Sequence, residues 1–178
     1  MTESESGAGA FVWSRDSTKI AYVAPIPLTE EEQQKRRDRD DAHVIDDDFQ
    51  YSSLHVIDLE SKRSNEIVKG DFVLSQPTWS PDGAEIAYTA RPTPRADDGP
   101  LSDIYVTNSD GSGMPRKLYE NEGPDVGPVW SPDGQTILFS TRSAAQGVVG
   151  FGRLHTVPAS GGQPRPLIPG FDSPVNNV

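Results

Sequence analysis

The sequence contains no cysteine. Disulfide bonds, thiolate metal sites and a cysteine nucleophile are therefore excluded. The absence does not assign a compartment, because extracellular and cytosolic proteins can both lack cysteine.

Positive charge is also scarce. The 178 residues carry 16 lysines and arginines against 27 aspartates and glutamates, a formal net charge of −11. Nucleic acid and anionic membrane surfaces repel an acidic protein, so we expect neither as a partner. No apolar run approaches the length that spans a membrane. The start, MTESESGAGAFVW, is acidic where a secretory signal needs basic residues, so we expect a cytoplasmic protein.

Hydrophobic residues make up only 34% of the chain, whereas glycine and proline supply 16 residues each. Such a composition is typical either of many short strands joined by tight turns or of disorder. One pentapeptide favours strands. WSPDG stands at 79–83 and at 130–134, a related WSRDS stands at 13–17, and each copy precedes segments in which apolar and polar residues alternate. The second and third copies are 51 positions apart. Repeats of roughly 50 residues with four strands each indicate a β-propeller, in which one repeat forms one blade.

We therefore predict an all-β fold, a partial β-propeller of about three four-stranded blades. The predicted parts are a flexible N-terminus at 1–10, blades at 11–70, 71–123 and 124–170, and the start of a further connection at 171–178. Propellers usually close with four to eight blades. We expect the chain to be part of a larger propeller, and the alternative is self-association of its exposed blades.

The recurring residues are assigned a structural role. In the second and third copies Pro presets φ for a β-turn, Asp suits the next position, and Gly takes the positive φ that closes the turn. Each Trp precedes its turn on a strand, where a large ring can fill the space between stacked sheets. Arg15 and Ser17 replace Pro and Gly in the first copy, so we expect a looser turn there. The structural repeat consists of Trp13, Trp79, Pro81, Asp82, Gly83, Trp130, Pro132, Asp133 and Gly134.

The first repeat carries a charged insertion at 29–48. Thr29 suits a helix N-cap, and acidic residues precede basic ones, as the helix dipole favours. Glu31–Lys35 and Glu32–Arg36 are favourable i,i+4 pairs. We predict a short exposed helix or a mobile loop at the rim of the first blade. It is either a solvated insertion or a contact with another domain or subunit.

The order of WSPDG, IAY or ILF, DIYV and a GG turn resembles the Pro-Asp repeats of TolB-like proteins and of prolyl oligopeptidase family peptidases. The charged insertion, with VIDDDF at 44–49 and LHVIDLES at 54–61, is similar to an early blade of the acylaminoacyl-peptidase-like branch. Lys62 stands where that branch has Gly. In that family a propeller precedes an α/β-hydrolase domain and limits access to peptide-sized substrates. The resemblance implies a scaffold and substrate gate of a serine peptidase acting on short peptides or acyl-peptides.

The chain itself shows no G-x-S-x-G nucleophile motif. His55 and His155 each follow a Leu at the start of the third strand of a repeat, and Tyr105 holds the same place in the second repeat. We interpret these three residues as one repeated strand position, and we expect His43 to be exposed in the charged insertion. We assign no catalytic, cofactor-binding or metal site, and we expect this chain alone to be inactive.

Two acidic segments imitate metal sites. NSDGSG at 108–113 matches the first half of a calcium loop, but Tyr119 occupies the twelfth position, where a bidentate Glu is required. Asp46, Asp47 and Asp48 are neighbours along the chain, and such neighbours point to opposite sides of an extended segment. We expect a solvated acidic surface.

Two functions from different classes therefore fit the sequence. In the first, the partners of this chain are the α/β-hydrolase domain and the remaining blades of the same protein, and peptides are the substrates. In the second, the chain belongs to a non-catalytic TolB-like propeller that binds a protein partner. The WSPDG repeat, considered without the charged insertion, supports both functions equally.

Overall fold

The computed structural model describes residues 7–37, 49–121, 123–142 and 152–168. In these residues, strands form three four-stranded antiparallel sheets, and the order of strands in each sheet follows the order in the chain. The predicted all-β fold with three four-stranded blades is confirmed. We call the sheets blades one, two and three.

Each blade is a simple up-and-down meander. Blade one contains β1 (Phe11–Trp13), β2 (Lys19–Pro25), β3 (Ser52–Asp58) and β4 (Ser64–Val68). Blade two contains β5 (Val73–Trp79), β6 (Glu85–Arg91), β7 (Asp103–Asn108) and β8 (Arg116–Lys117). Blade three contains β9 (Asp125–Trp130), β10 (Thr136–Thr141), β11 (Arg153–Pro158) and β12 (Arg165–Pro166). The first strands lie side by side, since β1 contacts β5 and β5 contacts β9.

The predicted helix in the charged insertion begins where the sequence places it. Helix α1 (Glu30–Arg37) follows β2 and starts with a capping box. The Thr29 amide donates to Glu32 Oε2 at 2.6 Å, and the Glu32 amide donates to Thr29 Oγ1 at 3.3 Å. The rest of the insertion, with His43 and Asp46 to Asp48, lies outside the described residues. In the described part of the chain, no helix has the length and apolar character to cross a membrane.

The blades pack face to face through two apolar layers. Val23 and Leu54 of blade one pack with Trp79 and Tyr88 of blade two in the first layer. The second layer joins the opposite face of blade two to blade three, through residues such as Val106, Trp130, Ile137 and Phe139. Side chains alternate across a strand, so the middle blade buries both faces and each end blade buries one. Accordingly, all five residues from Ile86 to Ala90 are buried, whereas β10 alternates between buried and half-buried residues.

The outer face of blade one lacks such a cover among the described residues. The strand register places Trp13, Ile20, Tyr22 and His55 on this face, together with Phe11. Phe11 is 67% exposed and Trp13 is 53% exposed. Apolar surface of this kind on a sheet face is typical of a face that another element covers.

The first strands of blades two and three each contain a bulge that sequence reasoning did not predict. In blade two the register of β5 against β6 shifts between Ser75 and Thr78. In blade three the register of β9 against β10 shifts opposite the stretch from Leu138 to Ser140. Gln76 takes a φ of 52° and Gly127 a φ of 66°. The Gln76 side-chain oxygen accepts the Gly127 amide at 2.9 Å, so this bulge also joins blade two to blade three.

Candidate functional site

The turn after Trp79 is held by the side chains of its own Ser and Asp. The Gly83 amide donates to the Ser80 carbonyl at 3.0 Å, which closes a β-turn with Pro81 and Asp82 at its centre. The Ser80 hydroxyl donates to Asp82 Oδ1 at 2.6 Å and accepts the Glu85 amide at 2.9 Å. Sequence reasoning explained Pro81, Asp82 and Gly83 and missed Ser80. The signal was present, because Ser follows Trp in all three copies.

The third turn repeats these bonds. The Ser131 hydroxyl donates to Asp133 Oδ1 at 2.6 Å and accepts the Thr136 amide at 3.0 Å. Gly134 has a φ of 71°, close to the 73° of Gly83. A Cβ added to Gly134 would lie 3.5 Å from Pro81, so successive turns are neighbours in space.

The sequence suggested a looser first turn, but the structure gives this turn the same hydrogen bonds as the other two. The Ser14 hydroxyl donates to Asp16 Oδ1 at 2.7 Å, and the Ser17 amide donates to the Ser14 carbonyl at 3.0 Å. Ser17 adopts a φ of 62° although it has a Cβ. The hydrogen bonds of Ser14 and Asp16 therefore impose the turn that Pro and Gly favour in the other copies.

The three tryptophans occupy matched places with different exposure. Trp79 is 7% exposed and Trp130 is 9% exposed, because each ring packs against the preceding blade. The Trp79 Nε1 donates to the Val12 carbonyl of blade one at 3.3 Å. Trp13 holds the same position in the first blade but has no described blade to pack against.

A cleft lies where the three Trp-Ser turns meet. Its volume is about 230 Å³, and its lining comes from the ends of β1, β5 and β9 and from the turns that follow them. Besides the three tryptophans, Pro81, Pro132 and Arg15 face it. An adjoining cleft of about 150 Å³ lies between the first and second turns and is lined by Arg15, Lys19 and Asp82, among others. Seven of the nine repeat residues thus line these two clefts, and concave surfaces are where ligands usually bind.

The repeated third-strand position is occupied as the sequence suggested. The register pairs His55 with Tyr22, Tyr105 with Tyr88, and His155 with Phe139. Their ring centroids are 5.1, 6.0 and 6.2 Å apart. Each pair is an aromatic cross-strand contact in its blade.

A Ser-His-Glu group in blade one does not have the geometry of a catalytic triad. Ser53 Oγ lies 2.8 Å from His55 Nε2, and Glu66 Oε2 lies 3.9 Å from the same nitrogen. In a triad the serine and the carboxylate use opposite ring nitrogens. Ser53 is also only 2% exposed. Burial of the ring lowers the pKa of His55 against the opposing effect of Glu66, which favours a neutral, structural histidine.

The segment that imitates a calcium loop is satisfied by its own hydrogen bonds. Asn108 Nδ2 donates to the Ser112 carbonyl at 2.9 Å, and Asp110 Oδ1 accepts the Ser112 amide at 2.8 Å. Within the ranges that the structure describes, no group of three or more His, Asp and Glu residues is placed to hold a metal ion.

One carboxylate is buried between blades two and three. Asp125 is 1% exposed at the start of β9, where blade two has the buried Leu74 at the matching position. Its Oδ1 accepts Asn121 Nδ2 at 3.0 Å, and the same amide donates to Thr141 Oγ1 at 3.0 Å. Burial raises the pKa of Asp125 to about 6, although the hydrogen bonds of Thr141 and Asn121 oppose the shift.

Comparisons with known proteins identify the fold. No protein-family profile matches the chain. The Tol-Pal system protein TolB of Alcanivorax borkumensis is 29% identical over 124 residues, 70% of this chain and 23% of that protein. The uncharacterised peptidase YuxL of Bacillus subtilis is 29% identical over 87 residues, 49% of this chain and 12% of that protein. The chain thus matches less than a quarter of the length of either relative.

Solved structures similar to this chain include the same two kinds of protein, TolB and peptidases. A putative TolB from Agrobacterium tumefaciens superposes with a TM-score of 0.60 and 19% identity, over 88% of this chain and 47% of that one. A puromycin-hydrolysing peptidase of Mycobacterium tuberculosis superposes with a TM-score of 0.61 and 18% identity, over 91% of this chain and 23% of that one. Likeness at this level shows the fold alone, a segment of β-propeller like those of TolB and of the puromycin-hydrolysing peptidase.

Proposed function

We propose that this chain is the N-terminal propeller segment of a serine peptidase that cleaves short peptides or acyl-peptides. In this proposal it acts as scaffold and substrate gate for an α/β-hydrolase domain carried elsewhere in the same protein. The hydrolase domain supplies the catalytic serine, and the blades described here supply none.

The observation that carries the proposal is the charged insertion in blade one. It contains the capped helix α1 between β2 and β3, and β3 then reads SSLHVID. This order resembles an early blade of acylaminoacyl-peptidase-like enzymes, and a bare Pro-Asp repeat does not need it. The match to YuxL, a peptidase by name, supports the same conclusion.

The outer face of blade one supports the presence of further blades. Trp79 and Trp130 are buried by the blade before them, and Trp13 is half exposed at the matching position. A further blade on this face would cover Trp13 and Phe11 as blade one covers Trp79. The remaining blades of the same protein are therefore its proposed partners.

Reading the coding DNA beyond Val178 tests the proposal first. We expect an open frame through more blades, followed by a G-x-S-x-G motif with downstream Asp and His. The intact gene product should then react with a fluorophosphonate probe, which labels activated serines, and the 178-residue chain should not. A complete frame without a hydrolase motif would contradict the proposal.

A second function rests on a different observation. TolB matches 70% of the chain, whereas the peptidase relative matches 49%. In this alternative the chain belongs to a non-catalytic propeller that binds a protein partner. An intact gene product that contains only blades and takes up no fluorophosphonate would favour it.

A further inference from the structure

The cleft between the Trp-Ser turns has a mainly apolar lining of tryptophan, proline and valine residues. Trp13, Trp79, Trp130, Pro81 and Pro132 are among its lining residues, and Trp79 and Trp130 contribute only the 7% and 9% of their surface that stays exposed. The three tryptophans are all those of the protein. Rings of this kind form an apolar surface for a ligand side chain, and they lose little conformational entropy when a ligand binds.

Arg15 places a positive charge at the edge of this apolar surface. It is exposed and lines both the larger cleft and the adjoining one. Within the part of the chain that the structure describes, it forms neither a hydrogen bond nor an ion pair. The matching residues of the other turns are Pro81 and Pro132, so this cation distinguishes the first turn.

The nearby carboxylates are engaged in their own turns. Asp16 Oδ1 accepts the Ser14 hydroxyl at 2.7 Å and the Thr18 amide at 3.0 Å. Asp82 Oδ1 accepts the Ser80 hydroxyl at 2.6 Å and the Ala84 amide. These bonds lower the pKa of both carboxyls, and neither carboxylate forms an ion pair with Arg15. The guanidinium donors of Arg15 therefore remain available to an anion.

We propose that this cleft binds the C-terminal end of a short apolar peptide. Its last side chains pack on the indole and proline rings, and its terminal carboxylate pairs with Arg15. A guanidinium offers two parallel N–H donors that match the two oxygens of a carboxylate. The ligand is thus an apolar acid, which a chain of net charge −11 holds through Arg15. The proposal uses only residues of this chain and does not depend on the peptidase assignment.

Tryptophan fluorescence tests the proposal directly, because all three tryptophans line the cleft. The 178-residue chain is titrated with acetyl-Ala-Ala-Leu that has a free carboxylate and with the same peptide as its C-terminal amide. We expect a saturable change with the acid. We expect the amide to bind at least about tenfold more weakly, since it lacks the charge-assisted hydrogen bonds.

Arg15→Pro is the matched variant, because it gives the first turn the residue of the other two. It should weaken binding of the acid by about tenfold or more and leave binding of the amide unchanged. Arg63→Ala, at an exposed residue next to β4, is the control and should keep the wild-type titration. A circular dichroism melt of each variant checks that the fold is retained.

Three results would overturn the proposal. They are equal affinities for the acid and the amide, an unchanged titration in a folded Arg15→Pro variant, and no fluorescence change at millimolar peptide. None of these would alter fluorophosphonate labelling of the intact gene product, so failure of this proposal is distinguishable from failure of the proposed function.

Discussion

Replacement of Asp125 by Asn measures the free energy of burying a carboxylate between blades two and three. The side chain is 1% exposed, and burial raises its pKa from 3.8 to about 6. Because the folded chain holds this proton more tightly than the unfolded chain, low pH favours folding through this group. The contribution is fully present below pH 3.8 and is lost as the pH rises through about 6. A shift of roughly two pH units corresponds to about 3 kcal/mol of unfolding free energy.

Asn at this position imitates the protonated carboxyl. Its side-chain oxygen can accept the Asn121 amide as Asp125 does. The two proteins should therefore have similar free energies of unfolding at pH 4. At pH 7.5 the variant should be more stable by up to about 3 kcal/mol. Urea unfolding of both proteins at pH 4, 5, 6 and 7.5 measures the difference.

The difference between the two proteins is the readout, because other carboxyls act in the opposite direction. Hydrogen bonds lower the pKa values of Asp82 and Asp133, so their stabilisation is present at neutral pH and is lost as the pH falls. Asp71→Asn makes the same substitution at an exposed position and is the matched control. A constant difference between wild type and Asp125→Asn from pH 4 to 7.5 would refute the reasoning.

Five other substitutions test the repeat by thermal and urea unfolding. Trp130→Ala should lower the free energy of unfolding by about 3–5 kcal/mol. Trp13→Ala should lower it by less than half as much, because Trp13 is 53% exposed. Equal losses of stability in the two variants would contradict the blade packing. Ser17→Gly should stabilise by up to about 1 kcal/mol, whereas Gly83→Ala should destabilise by a similar amount, because both positions have positive φ. Ser80→Ala should lower stability by about 1–3 kcal/mol, since it removes the hydroxyl that joins Asp82 to the Glu85 amide. An unchanged stability of the Ser80→Ala variant would exclude this role of the Ser80 hydroxyl.

The blades could be predicted because their determinants are local and repeated. The alternation of apolar and polar residues after each WSPDG predicted strands where β6 and β10 lie, and the Pro-Asp-Gly order predicted the turns that precede them. The fourth strands of blades two and three are short, because the structure pairs only Arg116–Lys117 and Arg165–Pro166. Proline lacks an amide donor, which limits the ladder of blade three.

Features that depend on packing between blades could not be predicted. Asp125 lies in the polar-looking segment EGPDVGPVW, yet it is 1% exposed in the structure, where Asn121 and Thr141 surround it. The bulge at Gln76 gives no local signal, because a non-glycine residue at positive φ breaks the usual preference. The cleft has the same origin, since its tryptophans are at least 51 positions apart in the sequence and meet only when the blades stack.

Oxidative footprinting of Trp13 tests the central claim most directly, that the outer face of blade one is a contact face between blades. In the 178-residue chain, hydroxyl radicals should oxidise Trp13 much faster than Trp79 or Trp130, in line with exposures of 53%, 7% and 9%. In the intact gene product, we predict that Trp13 is protected to the level of Trp79. Equal oxidation of Trp13 in both proteins would show that no further blade covers this face and would contradict the account.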